Sequence, residues 1–125
     1  MPVESRTVAA NEAADKWETQ FRKGSLELAI LACLAAGKFY GLEILRKLSE
    51  CGLVVPEGTV YPLLSRLKSE GLLDSQWVES EAGHPRKYYR LTPGGRRRAA
   101  QMAKFWDEFS GSIESLLAPL RKEER

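Results

Sequence analysis

Histidine and cysteine, which build many catalytic and metal sites, are scarce in this 125-residue sequence. It has one histidine, His84, and two cysteines, Cys33 and Cys51. A site with several histidine ligands is therefore excluded, and the two cysteines are too few and too far apart for a metal site or a redox pair. There is also no glycine-rich phosphate loop and no clustered pair of carboxylates in a plausible pocket. We expect neither an enzyme nor a protein that carries a metal or another cofactor.

Long apolar runs are also missing. The longest candidate covers residues 28–36, which is far too short to span a bilayer. Residues 1–23 mix acidic, basic and polar side chains, a composition unlike that of a signal or transit peptide. We therefore expect a cytoplasmic protein without a membrane partner.

Acidic residues are absent from one segment of the chain, although the net charge is only +2. No Asp or Glu lies between Ala82 and Trp106, and seven basic residues do. This distribution indicates a local phosphate-binding surface. The alternative is a solvated face against which acidic residues of other segments pack. The basic residues are Arg86, Lys87, Arg90, Arg96, Arg97, Arg98 and Lys104.

Apolar residues at three- and four-residue spacing predict four helices in the first part of the chain. These helices cover residues 7–23, 26–36, 41–50 and 59–70, and a glycine lies just past the end of each. Ser25 and Thr59 are suited to cap the second and the fourth. Because proline fits only the first turn of a helix, Pro62 places the start of the fourth helix close to Gly58.

Two strands are predicted after the fourth helix, because residues 73–79 and 86–92 are rich in Trp, Val, Tyr and Leu. Residues 80–85 between them have the composition of a turn, so the strands form a hairpin. Tyr89 and Leu91 share its buried face, and Arg86, Tyr88 and Arg90 point the other way.

A last helix is predicted from Pro93, with Thr92 as its cap. Its apolar residues alternate at spacings of three and four, which is the heptad pattern of helices that pair with one another. The seam comprises Ala99, Met102, Trp106, Phe109, Ile113, Leu116 and Leu120.

The order of these elements predicts a mainly α (α+β) fold: a winged helix-turn-helix with an extra N-terminal helix and a long C-terminal helix. In such a unit the second helix, here residues 59–70, lies in the major groove of double-stranded DNA. Its outward side chains are hydrogen-bonding or aromatic, which favours this function over a face that touches only water. They are Thr59, Tyr61, Ser65 and Arg66.

The hairpin tip supports the same function. Arg86 and Lys87 are placed beside His84 at a projecting loop, where they can follow phosphates or enter the minor groove. As a lone histidine, His84 is more often a turn residue than a pH switch. The rival hypothesis is a winged-helix protein-interaction module that does not bind DNA, although such modules usually lack a basic wing.

Residues 96–98 are three consecutive arginines in the opening turns of the last helix, where positive charge opposes the helix dipole. Either DNA phosphates or acidic residues such as Glu79 and Glu81 can compensate this charge. We expect an acid to pair with one of the three, and the sequence leaves the role of the others open.

Four motifs together resemble the PadR family of transcriptional regulators. The resemblance runs from about residue 24 to the end of the chain, and the combination is more specific than any single motif. The motifs are YGLEI at 40–44, GTVYPLLSRL at 58–67, EGL at 70–72 and GHPRKYYRLT at 83–92.

The resemblance implies a repressor that binds a palindromic operator as a homodimer. It implies that Thr59, Tyr61, Pro62 and Ser65 face the DNA from the recognition helix. His84, Arg86 and Lys87 would then act from the wing.

The resemblance also implies that residues 93–125 form a dimerisation helix, that residues 24–92 bind DNA and that residues 1–23 are an extension. Small aromatic or cationic effectors release DNA in members of this family. Trp106 is a candidate effector contact here, and its place in the seam makes packing the favoured alternative. Trp17 and Phe21 are expected to pack on the last helix of the same subunit or of its partner.

Overall fold

The computed structural model describes residues 8–81 and 83–123, with side chains from residue 16 onward. The predicted segments 1–23 and 93–125 and the predicted turn therefore each extend beyond the described residues. The elements are α1 (Val8–Ala35), β1 (Phe39–Tyr40), α2 (Gly41–Glu50), α3 (Glu57–Ser69), β2 (Leu73–Val78), β3 (Arg86–Leu91) and α4 (Pro93–Glu123). This arrangement confirms the predicted mainly helical winged helix-turn-helix fold.

One apolar core lies between the C-terminal half of α1, the helices α2 and α3 and one face of the sheet. Burial of aliphatic side chains is the main stabilising contribution in a domain of this size. No polar or charged side chain among the described residues is fully buried, so the core needs no internal hydrogen-bond network. The core comprises Leu26, Ile30, Leu31, Leu34, Ile44, Leu48, Val60, Leu64, Leu67, Leu72, Leu73, Tyr89 and Leu91.

The predicted break between the first two helices is wrong, because α1 continues through Gly24 and Ser25. A glycine inside a helix costs about 1 kcal/mol relative to alanine, which is too little to end a helix with good helix formers on both sides. Gly24 does not adopt a positive φ angle. Ser25 is therefore an interior residue and not a cap.

Helix α3 begins two residues earlier than predicted, at Glu57, with Pro56 as its N-cap. Thr59 is consequently an interior residue, and Pro62 lies in the second turn instead of the first. The proline removes the backbone hydrogen bond that would end on the carbonyl of Gly58. Tertiary packing of Val60, Leu64 and Leu67 offsets this loss, because all three side chains are fully buried.

The sheet has three antiparallel strands in the order β1-β3-β2. The predicted hairpin is confirmed, with Leu73 opposite Leu91 at one end and Val78 opposite Arg86 at the other. Residues 39 and 40 were expected to be a link between helices. They form β1 instead, which places Tyr40 opposite Tyr88.

Helix α4 starts where the sequence predicts, and Thr92 is its cap. The Thr92 hydroxyl accepts a hydrogen bond from the backbone N–H of Gly95 at 2.9 Å and donates one to the carbonyl of Gly71 at 2.7 Å. Gly95 lies directly against the backbone of Leu72, where an added Cβ would overlap the carbonyl oxygen. The first turn of α4 is therefore fixed to the segment between α3 and β2.

Beyond Met102, α4 extends away from the core. Residues 103–109 are all exposed, and so are most residues from there to Glu123. Within the described part of the chain, no helix combines the length and the apolar character needed to cross a membrane.

Candidate nucleic-acid interface

The outer face of α3 carries short side chains. Pro62 and Ser65 are exposed and lie three residues apart, hence on one side of the helix. Thr59 precedes Pro62 by three residues and is half-buried. Because none of these side chains is long, the backbone of α3 can come close to a flat or grooved ligand.

Tyr61 lies at the junction of α3 with α2, on the flank of this face. Its ring contacts the start of α2 so closely that a Cβ added at Gly41 would overlap the ring and the hydroxyl. Burial raises the pKa of the Tyr61 hydroxyl above its ordinary value, and the nearby Glu57 carboxylate raises it further. The hydroxyl therefore stays protonated at neutral pH and can donate a hydrogen bond.

Arg66 is held by two carboxylates. Its Nη2 lies 2.9 Å from Oε1 of Glu27 on α1, and its Nη1 lies 2.7 Å from Oε2 of Glu70 on α3. Hydrogen bonds to Glu27 and then to Glu70 raise the pKa of the Arg66 guanidinium. The side chain is half exposed, but it would have to leave these partners to meet a phosphate.

Arg98 shares Glu27 with Arg66. Its Nη1 lies 3.3 Å from Oε2 of the same carboxylate, so Glu27 joins α1, α3 and α4. The expectation that an acid pairs with one of the three arginines is confirmed. The partner is not Glu79 or Glu81, because the continuous helix α1 brings a carboxylate that sequence proximity did not suggest.

The two wing cations leave β3 on opposite faces of the sheet, because they are consecutive strand residues. The guanidinium carbon of Arg86 lies 4.5 Å from the ring centre of Tyr40. The ammonium of Lys87 lies 5.9 Å from the ring of Trp77 and 5.7 Å from that of Tyr89. Both cations thus lie at the base of the projecting loop instead of at its tip.

His84 occupies the loop itself and is exposed. Its backbone carbonyl accepts a hydrogen bond from the Ser80 hydroxyl at 2.6 Å, and the backbone N–H of Gly83 donates to the carbonyl of Ser80 at 3.1 Å. These bonds join Ser80 to Gly83 and His84, and the exposed imidazole is available to a ligand.

Three further residues join Arg86 on the outer side of the sheet. The rings of Tyr40 and Tyr88 meet edge to face at 5.4 Å, and the ammonium of Lys38 lies 5.6 Å from the Tyr88 ring. We call Lys38, Tyr40, Arg86 and Tyr88 the outer-face cluster. Strand alternation predicted that Tyr88 and Arg86 share a face, but a two-residue strand is too short to show periodicity, so Tyr40 and Lys38 were missed.

A second surface lies between α1 and α4. Aromatic and apolar side chains line a groove of about 620 Å³ there, together with Arg98 and Gln101. Phe21 is 72% exposed and Trp106 is 48% exposed, and Trp17 stacks edge to face on Phe21 at 5.9 Å. Phe105, which lies beside the predicted seam, stacks on Phe109 at 5.5 Å and was missed.

The predicted seam of α4 divides into two parts. Ala99 and Met102 pack against the core of their own chain. Trp106, Phe109, Ile113 and Leu116 are between 40% and 75% exposed. The second part is therefore an apolar surface that remains exposed to solvent in the single chain.

A helix-turn-helix of α2 and α3, followed by a β-hairpin that the short preceding strand β1 extends to three strands, defines the winged helix-turn-helix class. Within that class, the chain belongs to the transcriptional regulator PadR-like family, whose model matches residues 30–101. The family resemblance predicted from the motifs is thereby confirmed. The family comprises transcriptional regulators and is not a family of enzymes.

Known relatives agree with this assignment. A transcriptional regulator of Mycobacterium tuberculosis is 32% identical over 94 residues, which cover 75% of this chain and 87% of the relative. The structure of a PadR family transcriptional regulator from Eggerthella lenta is similar, with a TM-score of 0.79 and 30% identity over 90% of this chain and 98% of that one. A PadR-like transcriptional regulator from Bacillus cereus has a TM-score of 0.73 and 35% identity over 79% and 97%.

Proposed function

We propose that this chain binds double-stranded DNA as a homodimer and represses transcription from a palindromic operator. The recognition helix would read base edges with Thr59, Tyr61, Pro62 and Ser65, and the wing would hold phosphates. Arg86 and Lys87 supply the charge of the wing, and His84 lies in the loop between its strands. This proposal assigns DNA binding to residues 24–92.

The carrying observation is that Arg86 and Lys87, both only partly buried, lie on opposite faces of one strand beside aromatic rings. A duplex groove presents phosphates on two sides, so cations on both faces of a narrow hairpin can each approach one strand. Arg66 was also predicted as a DNA contact. It would contribute only after exchanging Glu27 and Glu70 for a phosphate, so we assign it a smaller share.

We propose dimerisation because the second part of the seam is an apolar surface that a single chain leaves exposed to solvent. An exposed apolar stripe on a long helix is typically buried against a second helix. Two copies that join through α4 would hold two recognition helices about 34–36 Å apart, which is the spacing of successive major grooves. The proposed contacts are Trp17, Phe21, Met102, Trp106, Phe109, Ile113 and Leu116.

The segment assignment follows from this model of the dimer. We assign dimerisation to residues 93–125 and its support to residues 1–23. The boundary at residue 24 lies inside the continuous helix α1, so the extension and the DNA-binding domain share one rigid element. Movement of the dimer interface would therefore move the recognition helix.

The groove between α1 and α4 is the proposed effector site. Its volume of about 620 Å³ is within the usual range of small-molecule pockets. Trp106 and Phe109 offer ring faces that stack on aromatic compounds or hold cations. Packing across the dimer is the alternative role of Trp106, and it is compatible with effector contact if both occur at one interface.

Selection of bound sequences from a random pool of duplex DNA tests this function. We expect an inverted repeat whose half-sites are separated by about one helical turn. If no sequence is enriched and the chain does not retain duplex DNA of any sequence, DNA binding is excluded and the rival protein-interaction module becomes the better hypothesis. Placing the selected site over a promoter in a transcription assay then tests repression.

A charge variant tests the wing. Arg86→Ala combined with Lys87→Ala should weaken binding to the selected site and reduce the slope of log K against log salt by about one to two. Lys104→Ala combined with Lys122→Ala removes the same charge from α4 and should leave the slope unchanged. Equal slopes for the wing variant and the wild type would show that Arg86 and Lys87 do not contact DNA phosphates.

A further inference from the structure

The backbone at Tyr40 is fixed from two directions. In β1 it pairs with Tyr88 of β3, and its N–H donates to the carboxylate of Glu43 in the first turn of α2 at 3.1 Å. Tyr40 is thus the last residue of a strand and the N-cap of a helix at once. The position and direction of its Cα–Cβ bond are therefore fixed with respect to the sheet.

The ring of Tyr40 contacts the wing cation Arg86. The guanidinium carbon lies 4.5 Å from the ring centre, well within the range at which a cation is attracted to the face of an aromatic ring. The Tyr40 ring also makes an edge-to-face contact with Tyr88, at 5.4 Å, which favours one orientation of the ring. An otherwise mobile arginine side chain is thereby held along the outer side of the sheet.

The next residue connects this contact to the recognition helix. Gly41 begins α2 and lies against the ring of Tyr61 on α3, with no space for a side chain. Residues 40 and 41 therefore contact the wing on one side and α3 on the other. This junction thus connects the wing to the recognition helix α3, which are the two parts proposed to bind DNA.

We propose that Tyr40 is a positioning residue that orients Arg86 toward DNA phosphate in fixed relation to α3. The inference rests on the proposed function. A pre-oriented arginine loses less conformational freedom when it binds a phosphate than a free side chain does. Tyr40 itself need not touch the DNA, because its effect reaches the DNA only through Arg86.

A double-mutant cycle on the affinity for the selected DNA site tests this role. Tyr40→Leu removes the aromatic face and keeps an apolar side chain. It should weaken binding by about threefold to tenfold when Arg86 is present, in line with the strength of such contacts. In the Arg86→Ala background the same change should alter the affinity by less than about 1.5-fold.

Two matched controls separate positioning from general damage. Lys87→Ala removes the neighbouring cation, which faces Trp77 and Tyr89, so the full effect of Tyr40→Leu should persist in that background. Tyr40→Phe retains the ring and should keep both the affinity and the salt slope. Tyr40→Leu should reduce the slope toward that of Arg86→Ala, by up to about one unit.

A measurement without DNA completes the test. Ring currents should shift the side-chain NMR resonances of Arg86 in the free protein, and Tyr40→Leu should abolish that shift while Tyr40→Phe keeps it. Equal effects of Tyr40→Leu with and without Arg86, or an unchanged Arg86 spectrum, would overturn the positioning role. If the wild-type chain selects no DNA, the proposed function fails first and this inference fails with it, whatever the spectrum shows.

Discussion

The winged domain and the projecting part of α4 use similar apolar residues in opposite ways. In the domain, thirteen residues are buried around one core. In α4 beyond Met102, all the large apolar side chains except Leu117 are exposed, from Ile113 at 40% to Leu116 at 75%. A closed core is complete within one chain, whereas an exposed stripe needs a second surface. The difference supports the proposal that the projecting part of α4 packs against a second copy of the chain.

The largest expected effect tests the exposed stripe. Phe109→Asp combined with Ile113→Asp would place two carboxylates in the proposed interface, and an unpaired charge is costly to bury. We expect the dimer to dissociate, with Kd raised by about a thousandfold or more. Sedimentation should show monomers that keep their helical circular dichroism.

Ser112→Asp combined with Ser115→Asp is the matched control, because it adds the same charge to α4 outside the seam. This variant should stay dimeric. A seam variant that also stays dimeric would show that the seam does not carry the interface, and the N-terminal part of α1 would then be the candidate.

The second prediction compares how alanine substitution at a buried and at an exposed leucine changes the free energy of unfolding. Leu64 is fully buried and Leu116 is 75% exposed. Leu64→Ala should lower the free energy of unfolding by about 2–5 kcal/mol, because it removes buried methyl groups and leaves a cavity. Leu116→Ala should change it by less than about 0.5 kcal/mol in protein kept monomeric by the seam variant. Urea unfolding measures both, and equal losses would mean that Leu116 is buried within its own chain.

Alanine substitutions at two glycines should change the stability of the fold in opposite directions. Gly95→Ala would force a Cβ into the Leu72 carbonyl and should destabilise the fold by about 1–3 kcal/mol. Apart from the adjoining residues and backbone of its own helix, nothing lies within 4 Å of a Cβ at Gly111, where alanine should stabilise the helix by about 1 kcal/mol. Thermal unfolding in the seam variant measures both. Destabilisation by Gly111→Ala would indicate a close neighbour in the projecting part of α4.

The smallest effect concerns Glu27, which links the domain to the start of the projecting helix. Glu27→Gln weakens the ion pairs with Arg66 and Arg98, and these half-exposed contacts contribute at most about 1 kcal/mol each. The loss of stability should shrink as salt rises. Glu108→Gln is the control, since Glu108 has no ion pair among the described residues. A loss that does not depend on salt would show that Glu27 acts through packing.

Local signals predicted most elements of the fold. Thr92 followed by Pro93 marked the start of α4, and the alternation of Tyr89 and Leu91 marked the buried face of β3. The errors occurred where tertiary packing overrode a local rule. Gly24 did not end α1, and Pro62 did not keep α3 from starting at Glu57, because the cost of each is about 1–3 kcal/mol and contacts made by the rest of the helix offset it.

The candidate site could be predicted less completely than the fold. The sequence identified Arg86 and Lys87 as wing cations, but their aromatic neighbours Tyr40 and Trp77 depend on how the strands pair. Arg66 was predicted on the outer face of α3, and the structure pairs it with Glu27, which is 39 residues away. Contacts of that kind depend on how helices cross, and no local pattern encodes a crossing angle.

Residue types at fixed spacing were sufficient to predict the family, the helix-turn-helix with its hairpin and the apolar seam of α4. The continuity of α1, the strand β1, the two arginines held by Glu27 and the contact of Tyr40 with Arg86 emerged only in the folded chain. The physical reason is distance along the chain. Periodicity and capping act within a few residues, whereas these contacts join elements that meet only when the core closes.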